Sequence, residues 1–379
     1  MIFDVPCLKS QLAKTVTPIA IVLLLGYCDF AVGWALGHQE IWRYHSHGVA
    51  ITLWVLVGFC QVMVFIYWAL IFIIGPGKHP ILPLFDLFDT GDPQLCPLPD
   101  MFNCDASGYP FYESSINSLV VPRSFFSKNV HYQVLKYDHY CVWIGMVIGE
   151  SNYMFFLKFM QWFLTNFVII LVMTIRYTPA NARHGFNWNL LIIYIGSAFW
   201  IIMLVAMFGV HLRYVSLELT TLDELTVKQM HRWAKHRRGR EELGIRYVNV
   251  AHGNDRRVVQ FTAADRIYTK GFKQNWINMV FNGNRNHGYT KPYSTARLLL
   301  AWVITFLPLV DIPVVFSSRR RRSDPEATDK LAYYHQYSPE YSEEFRAYCR
   351  RQIDQGIAYR PTYMKIESHS SQESLPSQN

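Results

Sequence analysis

The sequence predicts an all-α integral membrane protein: four transmembrane helices, with a long cytosolic loop between helices 2 and 3 and a cytosolic C-terminal region. Three observations lead there. Of the 379 residues 51% are hydrophobic, and the mean hydropathy of +0.08 would also suit a soluble two-domain protein, so distribution decides. Four runs stay apolar over the roughly 20 residues a helix needs to cross the hydrocarbon core. Basic residues gather on one side of those runs.

The first run, Pro18 to Gly37, is apolar apart from Asp29 and a few small or uncharged residues. Lys9 and Lys14 precede it as they would precede a secretory signal. It is too long for a signal's apolar region and a second span follows at once, so a retained helix is expected. Val49 to Ile74 holds no charge, Met154 to Ile175 only Lys158 near one end, and Asn189 to Val210 none. A helix at the surface of a soluble core would show a polar face over such lengths.

Orientation follows from lysine and arginine. His38 to Gly48 holds only Arg43 and Tyr177 to Trp188 only Arg183, whereas Lys78, Arg123, Lys128 and Lys136 lie between the second and third spans. Past Val210 the chain is densely basic, as in His231-Arg232-Trp233-Ala234-Lys235-His236-Arg237-Arg238. A multi-pass protein with both termini cytosolic is expected, in an endomembrane or the plasma membrane. The net charge of +8 fits basic tails that set topology and touch anionic headgroups, so the bilayer is the expected partner and nucleic acid is not. The seven cysteines show no disulfide spacing.

These readings divide the chain into a cytosolic N-terminus (1–17), spans 1 and 2 (18–74), a central cytosolic region (75–153), spans 3 and 4 (154–212), a cytosolic membrane-associated region (213–316) and a basic, then largely disordered tail (317–379). The central region is too long for a connector, and its proline-rich first part reads as irregular chain. Leu217 to Arg238 is expected to form an amphipathic helix, and a hairpin is expected around 251–255. Leu298 to Phe316 is a fifth apolar run, broken by Pro308, Asp311 and Pro313 and followed by Arg319 to Arg322. Spanning would carry those arginines across, so an interfacial helix is expected. Ser338-Pro339 opens a last helix ending near Gly356.

Asp138-His139-Tyr140-Cys141 lies in the central region, shortly before the third span. A thiol has a pKa of about 8.5, so a nucleophilic cysteine needs a base. His139 can take the proton of Cys141, and Asp138 can orient and stabilise the resulting imidazolium. Attack on a thioester suits this trio, because thiol–thioester exchange is nearly isoergic. Alone, an Asp-His-x-Cys string is weak evidence.

Its surroundings add weight. Tyr137 to Phe156 reads YDHYCVWIGMVIGESNYMFF, which closely resembles the catalytic core of the DHHC-type protein S-acyltransferases in a DHYC form. Trp143, Gly149, Asn152, Tyr153 and Phe156 fall where that family has W, G, N, Y and F, and Pro122-Arg123-Ser124 and Leu135-Lys136 match its approach to the motif. Gly75-Pro76-Gly77 resembles its DPG motif, Thr220-Thr221-Leu222-Asp223 its TTxE motif, and GFKQNWINMVFNG from Gly271 to Gly283 its C-terminal motif, with Asn275 as the key residue. The landmarks occur in family order over roughly Pro18 to Gly283.

The resemblance implies an enzyme that takes a long-chain acyl group from palmitoyl-CoA onto Cys141 and passes it to cytosolic cysteines of membrane-associated proteins. Asp138, His139 and Cys141 would be catalytic; Trp143, Asn152, Thr220, Thr221 and Asn275 would bind or brace. The other reading is a catalytically silent four-span scaffold. The family also binds two structural zinc ions, whose ligand positions here hold Ser114, Asn117, Phe126, Ser127, Val130, Gln133, Tyr140 and Val147. Structural zinc takes thiolate and imidazole, so no zinc and no permanently bound cofactor is expected. Cys96 and Cys104 are too widely spaced for a knuckle, and His131 is isolated. Asp29 within a span is either functional or a hydrogen-bonded carboxyl. Gly196-Ser197-Ala198 either lines an acyl cavity or allows close helix packing. Arg237, Arg238 and Arg240 meet CoA phosphates or, more simply, lipid headgroups.

Overall fold

The structure, a computed structural model, describes residues 11–178, 187–236, 245–262, 265–282, 293–311 and 329–364. Arg183, Arg237, Arg238, Arg240, Gly283 and Arg319 to Arg322, invoked above, lie outside those residues. The chain divides into two compact units, each assembled from separate segments: 1–76, 139–213 and 303–310 form the first, and 77–138, 214–302 and 311–379 the second. The boundary after the second span and the one before the third, read from sequence as domain limits, do not coincide with these units.

The first unit carries the apolar helices. Helix α1 (Gln11–Phe30) continues as a π-helical segment (Ala31–Trp42), followed by α2 (His47–Ile74), α3 (Tyr153–Tyr177) and α4 (Trp188–Leu217). The helices Lys14–Trp42, His47–Ile74, Tyr153–Tyr177 and Trp188–Leu217 are long and apolar enough to cross a membrane. The expected spans fall on these four helices and are short at the ends, because each helix continues into polar residues that bound its apolar run. In the π segment the Trp54 indole donates to the Gly33 carbonyl at 3.2 Å and lies so close to Gly37 that a Cβ there would meet Trp54 Nε1 at 2.3 Å. Asp29 accepts a hydrogen bond from the Gln61 amide at 2.7 Å, which supports the simpler of its two readings.

The short helix α7 (Thr295–Phe306) stops before Pro308. Its 12 residues reach about 18 Å, well under the roughly 30 Å of a hydrocarbon core. Buried Lys158 donates to the Leu307 carbonyl at 2.7 Å and lies 3.3 Å from the Tyr67 hydroxyl, which in turn accepts from Leu309 N–H at 2.8 Å. A charge in an apolar helix is thus satisfied by the carbonyl that α7 leaves unpaired at its end.

The expectation of an all-α protein needs correction, because the chain also forms sheets. In the second unit β1 (Met101–Cys104), β8 (Ile245–His252) and β9 (Asp255–Thr262) make an antiparallel sheet in the order β1-β8-β9. The β8–β9 hairpin is the expected one, with His252 opposite Asp255 and Gly253 in the left-handed region at φ +61°. Short hairpins β2–β3 (Tyr112–Glu113, Ser118–Leu119) and β4–β5 (Phe125–Ser127, Tyr132–Val134) lie between, and β6–β7 (His139–Cys141, Met146–Ile148) belongs to the first unit. Strands of two to four residues are too short to show alternation, and β1 pairs with a strand far along the chain, so neither is visible to local patterning.

Helices α5 (Thr221–His236), α6 (Phe272–Asn282), α8 (Lys330–Tyr337) and α9 (Glu343–Asp354) complete the second unit. The tail expected to be basic and then largely disordered (317–379) is folded over 329–364, and the last helix expected after Ser338-Pro339 is there, at Glu343–Asp354. Asp329 and Ser342 cap α8 and α9. Tyr333 and Tyr334 join Leu82, Phe85, Phe102 and Val258 in one apolar cluster, while Phe345 and Cys349 join Val248, Val259 and Phe261 in another.

Candidate active site

The tetrapeptide is a strand rather than a loop. In β6 His139 pairs with Ile148, Tyr140 with Val147 and Cys141 with Met146. Alternation along a strand puts His139 and Cys141 on one face and Tyr140 on the other. Two residues of strand separate their Cα atoms by about 6.6 Å, a span an imidazole side chain covers. On the far face, Lys14 lies over the Tyr140 ring at 5.5 Å.

The hairpin is fixed at both ends. At its tip Gly145 N–H donates to the Cys141 carbonyl at 2.8 Å, with Gly145 at φ +84°. A Cβ there would meet Pro18 Cγ at 2.9 Å, so the position needs glycine for conformation and for space. The Trp68 indole donates to the Ile144 carbonyl at 3.2 Å. At its base fully buried Asn152 accepts from Gly149 N–H at 3.0 Å and donates to the Val147 carbonyl at 2.9 Å. Cys141 is 3% exposed and Val147 and Ile148 are fully buried. Trp143 is exposed and meets the Trp200 ring edge-on at 5.9 Å.

His139 is half-buried. Its ring meets Phe156 edge-on at 5.4 Å and lies 5.7 Å from the ring of His211. His211, in α4, is 6% exposed, and its Nδ1 is hydrogen-bonded to the Tyr153 hydroxyl at 2.9 Å. His211 escaped the sequence reading, although it is the first ionisable residue past the uncharged run 189–210, a signal that was available.

In the second unit Asp138 is 1% exposed, and its two carboxylate oxygens accept from the Thr221 backbone N–H and hydroxyl, each at 2.7 Å. Thr221 opens α5, so the carboxylate sits at a helix N-terminus, where the backbone dipole favours negative charge. Thr220 and Asp223 form a capping box: Thr220 N–H donates to Asp223 Oδ2 at 3.0 Å and Asp223 N–H to Thr220 Oγ1 at 3.1 Å. Aspartate performs that duty where the resembled motif has glutamate.

Asp223 also pairs with Arg123 at 2.9 Å. Arg123 reaches Glu218 at 3.3 Å, Lys136 reaches Glu218 at 2.6 Å, and the Arg123 guanidinium covers the Tyr268 ring at 4.2 Å. Burial works against the charge of Arg123, but Asp223 and Glu218 overcome it and hold the guanidinium above its ordinary range. Glu218 is likewise pushed up by burial and drawn further down by Lys136 and Arg123, ending below the usual carboxylate range. Arg123, Lys136 and Glu218 all sit in the left-handed backbone region, at φ +63°, +42° and +52°. Each such residue costs about 1–2 kcal/mol, so the ion cluster is built against the preference of its backbone.

Asn275 is fully buried, donating to the Ser216 carbonyl at 2.9 Å and the Thr269 hydroxyl at 3.0 Å and accepting from Lys270 N–H at 2.9 Å. These bonds tie α6 to the segments around Ser216 and Thr269. His79, which the sequence reading did not single out, links Pro80 and Val121: Nδ1 bonds the Pro80 carbonyl at 2.5 Å and Nε2 accepts from Val121 N–H at 3.2 Å. Burial pushes its pKa down to about 4, so the ring is neutral at pH 7.

The positions that the resemblance assigns to zinc do different work. Phe126 faces Gln133 across β4–β5, and Tyr140 faces Val147 across β6–β7. Gln133 donates to the Ser124 hydroxyl at 3.2 Å, the Ser127 carbonyl accepts from His131 N–H at 2.8 Å, and Asn117 accepts from the Tyr112 hydroxyl at 3.2 Å. None offers thiolate or imidazole, so these residues do not fit a structural zinc site. Cys96 and Cys104 lie in an apolar cluster, where burial pushes the Cys96 thiol up to about 12 and that of Cys104 higher still.

A profile of the DHHC palmitoyltransferase family matches residues 109–228. Palmitoyltransferase PFA5 of Candida albicans is 41% identical, the alignment covering 96% of each chain. PFA5 of Kluyveromyces lactis is 29% identical over 51% of this chain and 60% of its own, and that of Saccharomyces cerevisiae 28% identical over 46% and 51%. The shared frame, the DHYC strand and the four apolar helices lead to one conclusion: the chain belongs to the DHHC palmitoyltransferase family and is an integral membrane protein palmitoyltransferase.

Proposed function

We propose that this palmitoyltransferase works in two steps through an S-acyl intermediate on Cys141, with long-chain acyl-CoA as donor and protein cysteines as acceptors. In the first step His139 takes the Cys141 proton, the thiolate sulfur bonds to the acyl carbonyl carbon, the bond to the CoA sulfur breaks, and the proton passes to that leaving thiolate. In the second His139 takes the proton of the acceptor thiol, whose sulfur displaces Cys141; the proton returns to Cys141. Atoms and charge balance with no further group. The observation that carries this reading is the placement of His139 and Cys141 on one face of β6. Asp138, next to His139 in the chain, is held by two short hydrogen bonds at the start of α5.

The same reading assigns β6 and both termini to the cytosol, on the distribution of lysine and arginine. It also dispenses with zinc, since cross-strand pairs and hydrogen bonds occupy the positions the metal would need. The test is incubation of purified protein with labelled palmitoyl-CoA. Hydroxylamine-sensitive label on wild type, lost in Cys141→Ser and transferable to a cysteine peptide, is expected. Absence of label on wild type favours the silent scaffold instead.

A further inference from the structure

We infer that His211 is a positioning residue for His139, and that Tyr153 sets it in place. The three side chains come from different elements of one unit: His139 from β6, Tyr153 from the first position of α3, and His211 from the last third of α4. Phe156, one turn beyond Tyr153, meets the His211 ring edge-on at 4.9 Å and the His139 ring at 5.4 Å. A ring nitrogen of His139 and one of His211 lie within 4.8 Å of each other. With the Tyr153 hydroxyl on His211 Nδ1 at 2.9 Å, the ring plane of His211 is fixed and so is the nitrogen it turns toward its surroundings.

Such a brace has a chemical reason. His139 must meet the same demand twice, first with the Cys141 thiol and then with an acceptor thiol. The torsion that turns an imidazole is broad, so a half-buried ring on a three-residue strand holds no single orientation unless neighbours impose one. Phe156 supplies a surface, and a surface alone lets the ring slide. A second imidazole whose ring plane is held by the Tyr153 hydroxyl supplies direction. His211 carries no proton between substrates in this scheme; it acts through His139.

The inference rests on Cys141 and His139 being the reacting pair, and its test separates the two claims. Single-turnover acylation by palmitoyl-CoA is followed on Cys141 in the full-length protein, for wild type, His211→Phe, Tyr153→Phe and the double variant. His211→Phe keeps the aromatic edges and removes the nitrogens; Tyr153→Phe removes only the hydroxyl. The expected result is a fall in maximal rate of about 10- to 100-fold for His211→Phe, a smaller fall for Tyr153→Phe, and a double variant no slower than His211→Phe, all with the palmitoyl-CoA concentration dependence unchanged. His211→Gln, which can still bond the Tyr153 hydroxyl, should recover part of the loss, which a change in packing alone would not produce. The inference is overturned if His211→Phe acylates at the wild-type rate, if its loss lies in substrate affinity, or if the two single effects multiply. It is overturned as well if a monodisperse His211→Gln is no faster than His211→Phe. Wild-type protein that gains no acyl group on Cys141 overturns both claims; a labelled wild type with an indifferent His211→Phe overturns this one alone.

Discussion

The hairpins β4–β5 and β6–β7 share a turn geometry and differ in their surroundings. Each joins two three-residue strands through a four-residue loop. In each the last loop residue is left-handed, His131 at φ +58° and Gly145 at φ +84°, and donates its N–H at 2.8 Å to the residue before the loop. Ser127 therefore stands in the first where Cys141 stands in the second. Both bury the residue before the loop; the first also exposes Phe125 and Phe126 and is held by polar contacts from Ser127 and Gln133, whereas the second buries Cys141, Val147 and Ile148 among the apolar helices. The turn is built by backbone geometry in both cases. What differs is the environment around it: exposed aromatics and polar contacts in one, apolar helices in the other.

This contrast can be broken at several points. The largest effect is expected from Arg123→Met, just ahead of β4. It takes the shared guanidinium from half-buried Glu218 and Asp223, Glu218 keeping Lys136, and should cost roughly 3–5 kcal/mol in the second unit, read as an early unfolding transition and a loss of acylation as α5 loosens. Acid should act next, through His79, whose backbone N–H donates to the Gln133 carbonyl of β5 at 2.8 Å. Its folded pKa of about 4 lies below the ordinary 6.5, so the unfolded chain binds a proton that the folded one refuses. Its contribution is complete above pH 6.5 and is lost as pH falls toward 4, about 3 kcal/mol in all. Thermal unfolding across that window should show the loss in wild type and a flatter profile in His79→Asn.

A paired substitution probes the two turns directly. Gly145→Ala should destabilise by about 1–2 kcal/mol through its left-handed backbone, with more from the contact with Pro18. His131→Gly, at the equivalent place, should be neutral or stabilise by up to about 0.5 kcal/mol, the relief of strain being partly offset by a freer unfolded chain. Equal costs at both sites would mean that the two hairpins are not alike.

Much of this was legible in the sequence, for physical reasons. Long runs with at most one charge locate the apolar helices, because a helix of a soluble core seldom stays apolar on every face over such lengths. Asp138, His139 and Cys141 could be singled out as a trio, and Thr220, Thr221 and Asn275 as candidates for binding or bracing. Their partners were not readable. Thr221 reaches Asp138 from 83 residues away, and nothing local in either segment records it. His211 was hidden because the fourth span was read for its apolar run, which stops at Val210. The sheets were missed because β1 pairs with β8 only after the chain returns from two spans, and because the hairpin strands are held by turns rather than by alternation.

The central claim is acyl transfer by Cys141 on a scaffold that needs no zinc. Its most direct test is mass analysis of the Cys141 peptide after palmitoyl-CoA is added to chelator-treated protein whose metal content has been measured. The account predicts a hydroxylamine-sensitive palmitoyl adduct on Cys141 in protein with only trace zinc. An adduct that forms only when stoichiometric zinc is present, or that forms on another residue, would contradict it.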